Sequence, residues 1–424
     1  MHKDSLWRHQ DFRRLWAGDT ASQTGAFVGH TVLPLLAATV LAASPLEMGL
    51  LGAAEHAAFL VLGLPAGVWV DRMRRKRLML RADLLRAAML FSVPVAWWLG
   101  VLTLAQLVVV ALLVSAGTLF FDVAYQSYLP TLVRRDQLIA GNARLQASQS
   151  VAQVVGPGAG GALTQLAGAA NAVLVTGTGY LASALCLWRI RAPDPEPAPR
   201  RAGGMVADIR EGLRFVFGTP ALRAITITTA VANLTNGMVT AVQILFFTRE
   251  LGLSPAGVGT VLSIGGGGGV LGALTGGMLA RRIGQARAIW VVPLLTWPAQ
   301  LLVPLAAPGW RVGLAALGLA VFGYGVVVYN IAQVSFRQSI CPDRLLGRMN
   351  ASVRFVVWGV LPLGSLAGGA LGELAGLRGT LWLSGAGIAA GAAALLLSPL
   401  RGMRDLPVTS SEPSRPPAEA EKGT

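Results

Sequence analysis

Apolar runs about the length of a bilayer crossing recur down this chain, and most breaks between them are basic. A spanning helix needs about 20 mostly apolar residues. Such runs are expected near 14–42, 46–70, 78–100, 103–129, 142–167, 170–190, 220–247, 254–280, 286–306, 311–337, 347–373 and 377–399. Hydrophobic residues make up 54% of the chain and charged residues only 13%, against about 25% charged in an ordinary globular domain. The pattern predicts an all-α membrane protein of 12 transmembrane helices in two six-helix repeats.

Charge fixes how such a bundle would sit. A net charge of +15 would suit nucleic acid if it formed one patch on a soluble domain, but here the basic residues punctuate apolar runs. All of the 35 Lys and Arg except Arg249, Arg311 and Arg378 fall on segments assigned to one side. By the positive-inside rule that side, with both termini, is cytoplasmic, and the chain is expected in the cell membrane. Nucleic-acid binding is excluded. Residues 1–16 are polar and basic without a cleavable signal pattern, so the first run is expected to stay in the chain.

The two halves look duplicated. Ser44-Pro45 and Ser254-Pro255 read as an N-cap followed by proline at the first helical position. Gly67-Val68-Trp69-Val70-Asp71-Arg72 and Gly276-Gly277-Met278-Leu279-Ala280-Arg281 stand 209 residues apart, and Asp136-Gln137-Leu138 and Asp343-Arg344-Leu345 stand 207 apart. Near-constant offsets imply parallel repeats. The expected units are a bundle over residues 1–190, a linker over 191–219, a second bundle over 220–400 and a disordered cytoplasmic tail over 401–424. The linker opens with a proline-rich spacer. It continues with Val206, Ile209, Leu213 and Val216 at helical spacing around Arg210 and Arg214, which predicts an amphipathic helix at the membrane face.

Several motifs together carry a family resemblance. Gly67-x-x-x-Asp71-Arg72-x-x-Arg75-Lys76 resembles the hairpin between the second and third helices of major facilitator superfamily transporters, with Arg74 where the family usually has glycine. In the fifth run, Gly156-Pro157-Gly158-Ala159-Gly160-Gly161 is similar to a stretch carried there by the superfamily's antiporters. Phe12-Arg13-Arg14-Leu15-Trp16, Ala82-Asp83-Leu84-Leu85-Arg86-Ala87, Ile209-Arg210-Glu211-Gly212-Leu213-Arg214-Phe215 and Pro342-Asp343-Arg344-Leu345-Leu346-Gly347-Arg348 resemble the branch of macrolide-efflux proteins and enterobactin exporters. The resemblance implies secondary active efflux of an amphiphilic small molecule, by proton antiport with alternating access. Antibiotics such as macrolides, siderophores and other natural products all stay open as cargo. An importer or uniporter, and a non-transporting sensor or scaffold of the same fold, are the alternatives. The resemblance further implies that Gly67, Asp71, Arg72 and Arg75 form a conformational gate, with Asp71 meeting the start of the eleventh helix near residues 346–350. It also implies that the first, fourth, seventh and tenth helices line a central cavity.

Polar side chains inside such helices are costly and mark a cavity or a helix contact. The seventh run carries Thr226, Thr229, Asn233, Asn236, Thr240 and Gln243 on one face. Asn233, Asn236, Thr240 and Gln243, with Tyr125 and Gln126 of the fourth run and Tyr324, Asn330 and Gln333 of the tenth, are the expected substrate-cavity residues; helix–helix hydrogen bonding is the other reading of the stripe. His30, Glu55, His56, Asp19 and Asp122 are the candidates for proton coupling, because carboxylates and imidazoles can exchange protons in a cavity. Asp19, Asp83, Arg86 and Asp122 fall together in the inner third of the first, third and fourth runs, where two oppositely charged members are expected to pair, since an unpaired charge there is expensive.

Other chemistry is not indicated. Cys186 and Cys341 form no disulfide framework or metal-ligand spacing. The pentaglycine Gly265–Gly269 lies within an apolar run, and no P-loop occurs, so this chain holds no nucleotide to drive a pump. No cofactor or enzymatic activity is expected. The partners implied are a small-molecule substrate, protons and the lipid bilayer, with the chain acting as a monomer.

Overall fold

In the computed structural model the described residues are 9–134, 137–192, 194, 205–342 and 345–405, and no strand occurs among them. Asp136, Asp343 and residues 406–424 lie outside the described residues, and of Gly67, Asp71, Val206 and Ile209 only the backbone is described. The first half runs through α1 (Gln10–Thr39), α2 (Pro45–Val61), α3 (Gly63–Asp71), α4 (Arg75–Trp98), α5 (Leu104–Leu132), α6 (Leu138–Ala167) and α7 (Ala169–Trp188). After α8 (Met205–Gly218), the second half contains α9 (Pro220–Leu245), α10 (Pro255–Ile283), α11 (Gln285–Thr296), α12 (Val312–Ile340), α13 (Leu346–Leu374) and α14 (Gly376–Ala394). With α2 and α3 counted as one interrupted span, each half supplies six crossings, and α8 is the amphipathic linker helix.

Local chemistry explains the boundaries. At the start of α2, Ser44 Oγ accepts from the Glu47 N–H at 3.3 Å and Glu47 accepts from the Ser44 N–H at 2.7 Å, a full capping box. Ser254 caps α10 in the same way through the Gly257 N–H at 3.2 Å. The second crossing breaks at Leu62 because Pro65 has no N–H to offer the Val61 carbonyl. The ninth gives way to a 3-10 turn at Trp297–Leu302, where Pro298 again removes a donor. Seven of the helices, α5, α7, α9, α10, α12, α13 and α14, are long and apolar enough to span a membrane on their own. The rest are interrupted or carry more charged and polar groups.

The halves meet along two helix pairs, α2 with α13 and α6 with α10. Glycines make both contacts possible by letting backbones touch. A Cβ on Gly49 would lie 2.6 Å from the Ser365 carbonyl oxygen, and one on Gly161 would lie 2.3 Å from that of Pro255. Within the second half, Gly268 and Gly272 seat α10 on α12, and Gly364 and Gly368 seat α13 on α9. Polar ties cross between the halves at the end where α2 and α10 begin. Arg249 donates to the Ala43 carbonyl at 2.7 Å, Glu373 accepts from the Leu46 N–H at 3.2 Å, and Gln165 accepts from the Ala256 N–H at 3.2 Å. That end of the molecule is closed.

The basic hairpins lie at the other end, where the linker is fastened on both sides. The Asp11 carboxylate accepts from the Arg191 and Ala192 N–H groups at 3.1 and 2.9 Å. Asp194 accepts from the Lys76 and Arg77 N–H groups at 3.1 and 3.4 Å, so it caps α4 just after the hairpin. On the far side of the linker, Glu211 of α8 pairs with Arg348 of α13, and Gly212 lies against the Arg348 carbonyl. After α14 the Arg404 carbonyl accepts from the Arg287 N–H at 3.3 Å, while the Arg404 and Asp405 side chains are exposed.

Valine at Gly161 or Gly49 would drive a side chain into backbone that cannot give, a cost of about 1–3 kcal/mol or more. Each variant is expected to melt several degrees lower in detergent. Gly277→Val, which meets only the tip of Arg281 at 3.7 Å, is expected to melt as the parent does; equal melting of all three would remove the seam from the stability of the fold.

Candidate functional site

A cavity of about 720 Å³ lies in the first half, walled by α1, α2, α4, α5, α6 and α7 and touched from the second half by Trp358 of α13. It reaches from Leu33, His30 and Glu55 at depth to Gln126, Asn142 and Ala143 near the basic end. Its wall is mixed: Phe27, Phe59, Phe121 and Trp358 alternate with Gln23, Gln146 and Gln149. Charge is concentrated in two groups on this wall. Asp19 and His30 on α1 are about 16 Å apart along the helix axis at 1.5 Å per residue, which separates an inner from a deep group.

The inner group is built around one guanidinium. Arg86 on α4 donates to Asp83 one turn earlier and to Thr118 Oγ1 of α5 at 3.2 Å. Its plane is held between the rings of Phe121 at 4.6 Å and Tyr180 at 4.2 Å. Space for the stem comes from Gly117, where a Cβ would stand 2.8 Å from Arg86 Cγ. Asp83 is 0% exposed and Arg86 2% exposed, so each is the charge partner that the other needs. Asp19 and Asp122 complete the group and interact electrostatically with this pair. Depth along the helices made a pairing of Arg86 with one of Asp19, Asp83 and Asp122 readable, but not which acid; Tyr180 gave no signal, because its run reads as plain apolar helix.

The deep group is Glu55 and His56 on α2 with His30 on α1, all on the cavity wall. His56 Nδ1 lies 3.0 Å from the Gly52 carbonyl, so in the neutral ring Nδ1 carries the proton and Nε2 is the open acceptor. His30 meets Phe27 edge to face at 6.2 Å and lies close enough to His56 to feel its charge. Among the described residues no three His, Cys, Asp or Glu groups are placed to hold a metal ion.

The structure therefore brings Asp19, His30, Glu55, His56, Asp122, Tyr125 and Gln126 together on one wall. The α9 stripe and the α12 groups lie elsewhere. Asn233 donates to the Val357 carbonyl of α13 at 2.7 Å, Thr229 shares a 2.7 Å bond with the Tyr329 hydroxyl, and Gln243 is buried. Thr240 is turned back to the Gly237 carbonyl at 2.9 Å, and Asn236, which is half-buried, does not line this cavity. Tyr324 accepts from Thr275 at 3.2 Å, and Gln333 donates to Asn330 at 3.2 Å within α12. Helical periodicity identified the polar face of α9 but not the neighbour that would consume it. Gly156 and Gly160 of α6 pack on α1 at Phe27 and Val28, while Gly161 and the Pro157 carbonyl pack on α10 at Pro255 and Gly259. Arg72 is exposed, and Arg75 donates to the Ser127 carbonyl at 3.0 Å.

Removing the guanidinium alone would strand a buried carboxylate. Arg86→Met is expected to cost about 3–5 kcal/mol of stability, and Arg86→Lys recovers little of it, because an ammonium cannot stack between two rings while reaching Asp83 and Thr118. The double variant Asp83→Asn/Arg86→Met is expected to regain most of the loss. Denaturant titrations of the three purified proteins measure this, and a double variant no better than Arg86→Met would exclude charge compensation.

Comparison with known proteins places this arrangement. The family of transmembrane secretion effectors matches residues 5–422. The chain is 29% identical over 350 residues to the multidrug efflux pump Tap of Mycolicibacterium fortuitum, covering 80% of this chain and 83% of that one. It is 30% identical over 374 residues to the Tap pump of Mycobacterium bovis, covering 85% and 81%. It is also 28% identical over 225 residues to the enterobactin exporter EntS of Escherichia coli, covering 52% of this chain and 51% of that one. In three dimensions it superposes on a bacterial homologue of the iron transporter ferroportin in its inward-facing state with a TM-score of 0.75 at 16% identity, over 93% of this chain and 99% of the other. The sequence motifs, the two six-helix repeats and these matches agree: the chain belongs to the transmembrane secretion effector family of the major facilitator superfamily.

Proposed function

We propose that this protein is a proton-driven exporter of amphiphilic small molecules that works by alternating access. The single observation that carries the reading is the cavity. It pairs aromatic and amide surface with two groups of ionisable side chains, and it lies beside glycine seams that close one end of the molecule. Carboxylates that face a cavity inside a membrane protein are costly and are kept for function. Efflux by relatives such as Tap and EntS supports the direction of transport.

In this reading the two bundles, residues 1–190 and 220–400, rock about the cavity. The basic hairpins support an orientation with the open end and both termini on the cytoplasmic side of a bacterial inner membrane, and in this reading one chain suffices. Asp19 and Asp122 of the inner group and Glu55 with His30 and His56 of the deep group exchange protons, because a proton and a cargo molecule compete for one set of carboxylates. Asp71 acts at the hairpin: with Gly67, Arg72 and Arg75 it meets the start of α13 near residues 346–350. A carboxylate at a helix N-terminus gains up to about 1–2 kcal/mol, enough to bias a two-state equilibrium.

Reconstituted vesicles separate coupling from movement. Glu55→Gln, Asp19→Asn and Asp122→Asn are tested for uptake driven by a pH gradient and for exchange of labelled against unlabelled cargo. At least one is expected to lose gradient-driven uptake tenfold or more while exchange persists, and full pH-driven transport by all three would eliminate them as proton carriers. Asp71→Asn is expected to slow both modes several-fold with normal membrane insertion; unchanged rates would reduce the hairpin to a topogenic charge cluster.

A further inference from the structure

We infer that the cargo is an amphiphilic cation and that its charged group competes with Arg354 of α13 for one aromatic seat. This rests on the exporter reading above and adds the chemical class of the substrate and a residue that competes with it.

The charge on the wall is one-sided. Asp19, Glu55 and Asp122 face the cavity, and the guanidinium that reaches it, that of Arg86, is committed to Asp83 and pinned between Phe121 and Tyr180. His30 and His56 are the remaining titratable nitrogens on the wall. A cation entering here gains carboxylates, whereas the guanidinium among the lining residues, that of Arg86, is already spent on Asp83 and has no charge to spare for an anion.

The protein already places one cation against this wall. Phe59 of α2 and Trp358 of α13 both line the cavity and face each other across the two halves, with centroids 5.3 Å apart and planes inclined at 34°. The Arg354 guanidinium carbon lies 5.8 Å from each ring centroid, and its charge is felt by Asp122 of α5. Arg354 is exposed and makes no hydrogen bond with the described residues, so nothing locks it there. An aromatic pair with a carboxylate behind it is a seat for an organic cation. A cargo cation, larger and more apolar than a guanidinium, displaces Arg354 from Phe59 and Asp122. Because Phe59 and Asp122 belong to one half and Arg354 and Trp358 to the other, that exchange also alters the contact between halves.

The test uses the full chain in proteoliposomes with probes that differ in charge: cationic rhodamine 6G, anionic fluorescein of the same xanthene scaffold, and uncharged chloramphenicol. Rhodamine 6G is expected to move at least tenfold faster than either of the others. Asp122→Asn is expected to raise its KM several-fold. Arg354→Ala is expected to lower its KM several-fold, and Arg354→Lys to restore the parental value. Transport of fluorescein or chloramphenicol as fast as rhodamine 6G would overturn the inference and leave the exporter reading standing. A KM that is unchanged or raised in Arg354→Ala would also overturn it. Failure of all three probes to move would sink both readings.

Discussion

Backbone touching backbone at a few glycines is the contact on which the rest of this molecule depends. Inside a bilayer there is no hydrophobic drive between helices, so close packing of small residues must hold them together. Gly49 against Ser365 and Gly369, and Gly161 against Pro255 and Gly259, join the halves where α2 and α10 begin. These seams lie toward one end of their helices, and the cavity lies within the first half, among α1, α2, α4, α5, α6 and α7, with Trp358 of α13 at its wall. Arg249 on Ala43 and Glu373 on Leu46 add polar ties at the same end.

Charge within the first half follows from burial. Asp83 and Arg86 neutralise each other under two aromatic rings and fix α4 against α5 and α7. That frees Asp19 and Asp122 from a structural duty, and Glu55, His30 and His56 form a second titratable group deeper in the same space. The second half contributes little charge to the wall. Its polar side chains on α9 and α12 instead stitch its own helices together, as Asn233 does on Val357 and Thr229 on Tyr329. The first half therefore carries the charged wall of the cavity, while the second packs against it through α10 and α13.

Much of this was legible from the sequence, because apolar length and capping are local properties. Ser44-Pro45 and Ser254-Pro255 start helices as their chemistry requires, and the span limits follow within a few residues. That Arg86 pairs with a buried acid could be read from depth, while the choice of Asp83 over Asp19 and Asp122 could not. Other features depend on what folding brings alongside. The polar stripe of α9 was visible, yet its neighbour was not, and α13 takes up Asn233. Asp194 caps α4 from a position in the linker 118 residues away, beyond any local signal. Pro65 does carry the signal for the break at Leu62, in a run that otherwise reads as one continuous crossing. Tyr180, Phe59 and Trp358 read as apolar filler until the fold sets them beside guanidinium groups.

The central claim is that the two ends of the molecule open in opposition. Spin labels at Gln165 and Ala256 report the closed end, where these residues now share a hydrogen bond at 3.2 Å, and labels at Arg77 and Gly347 report the basic end. With Cys186 and Cys341 replaced by serine, pulsed electron-electron resonance in nanodiscs measures both distances as pH and cargo are varied. The prediction is that the first distance lengthens by several ångströms under the same conditions that shorten the second. Distances that change together, or an outer distance that never changes, would contradict alternating access in this protein.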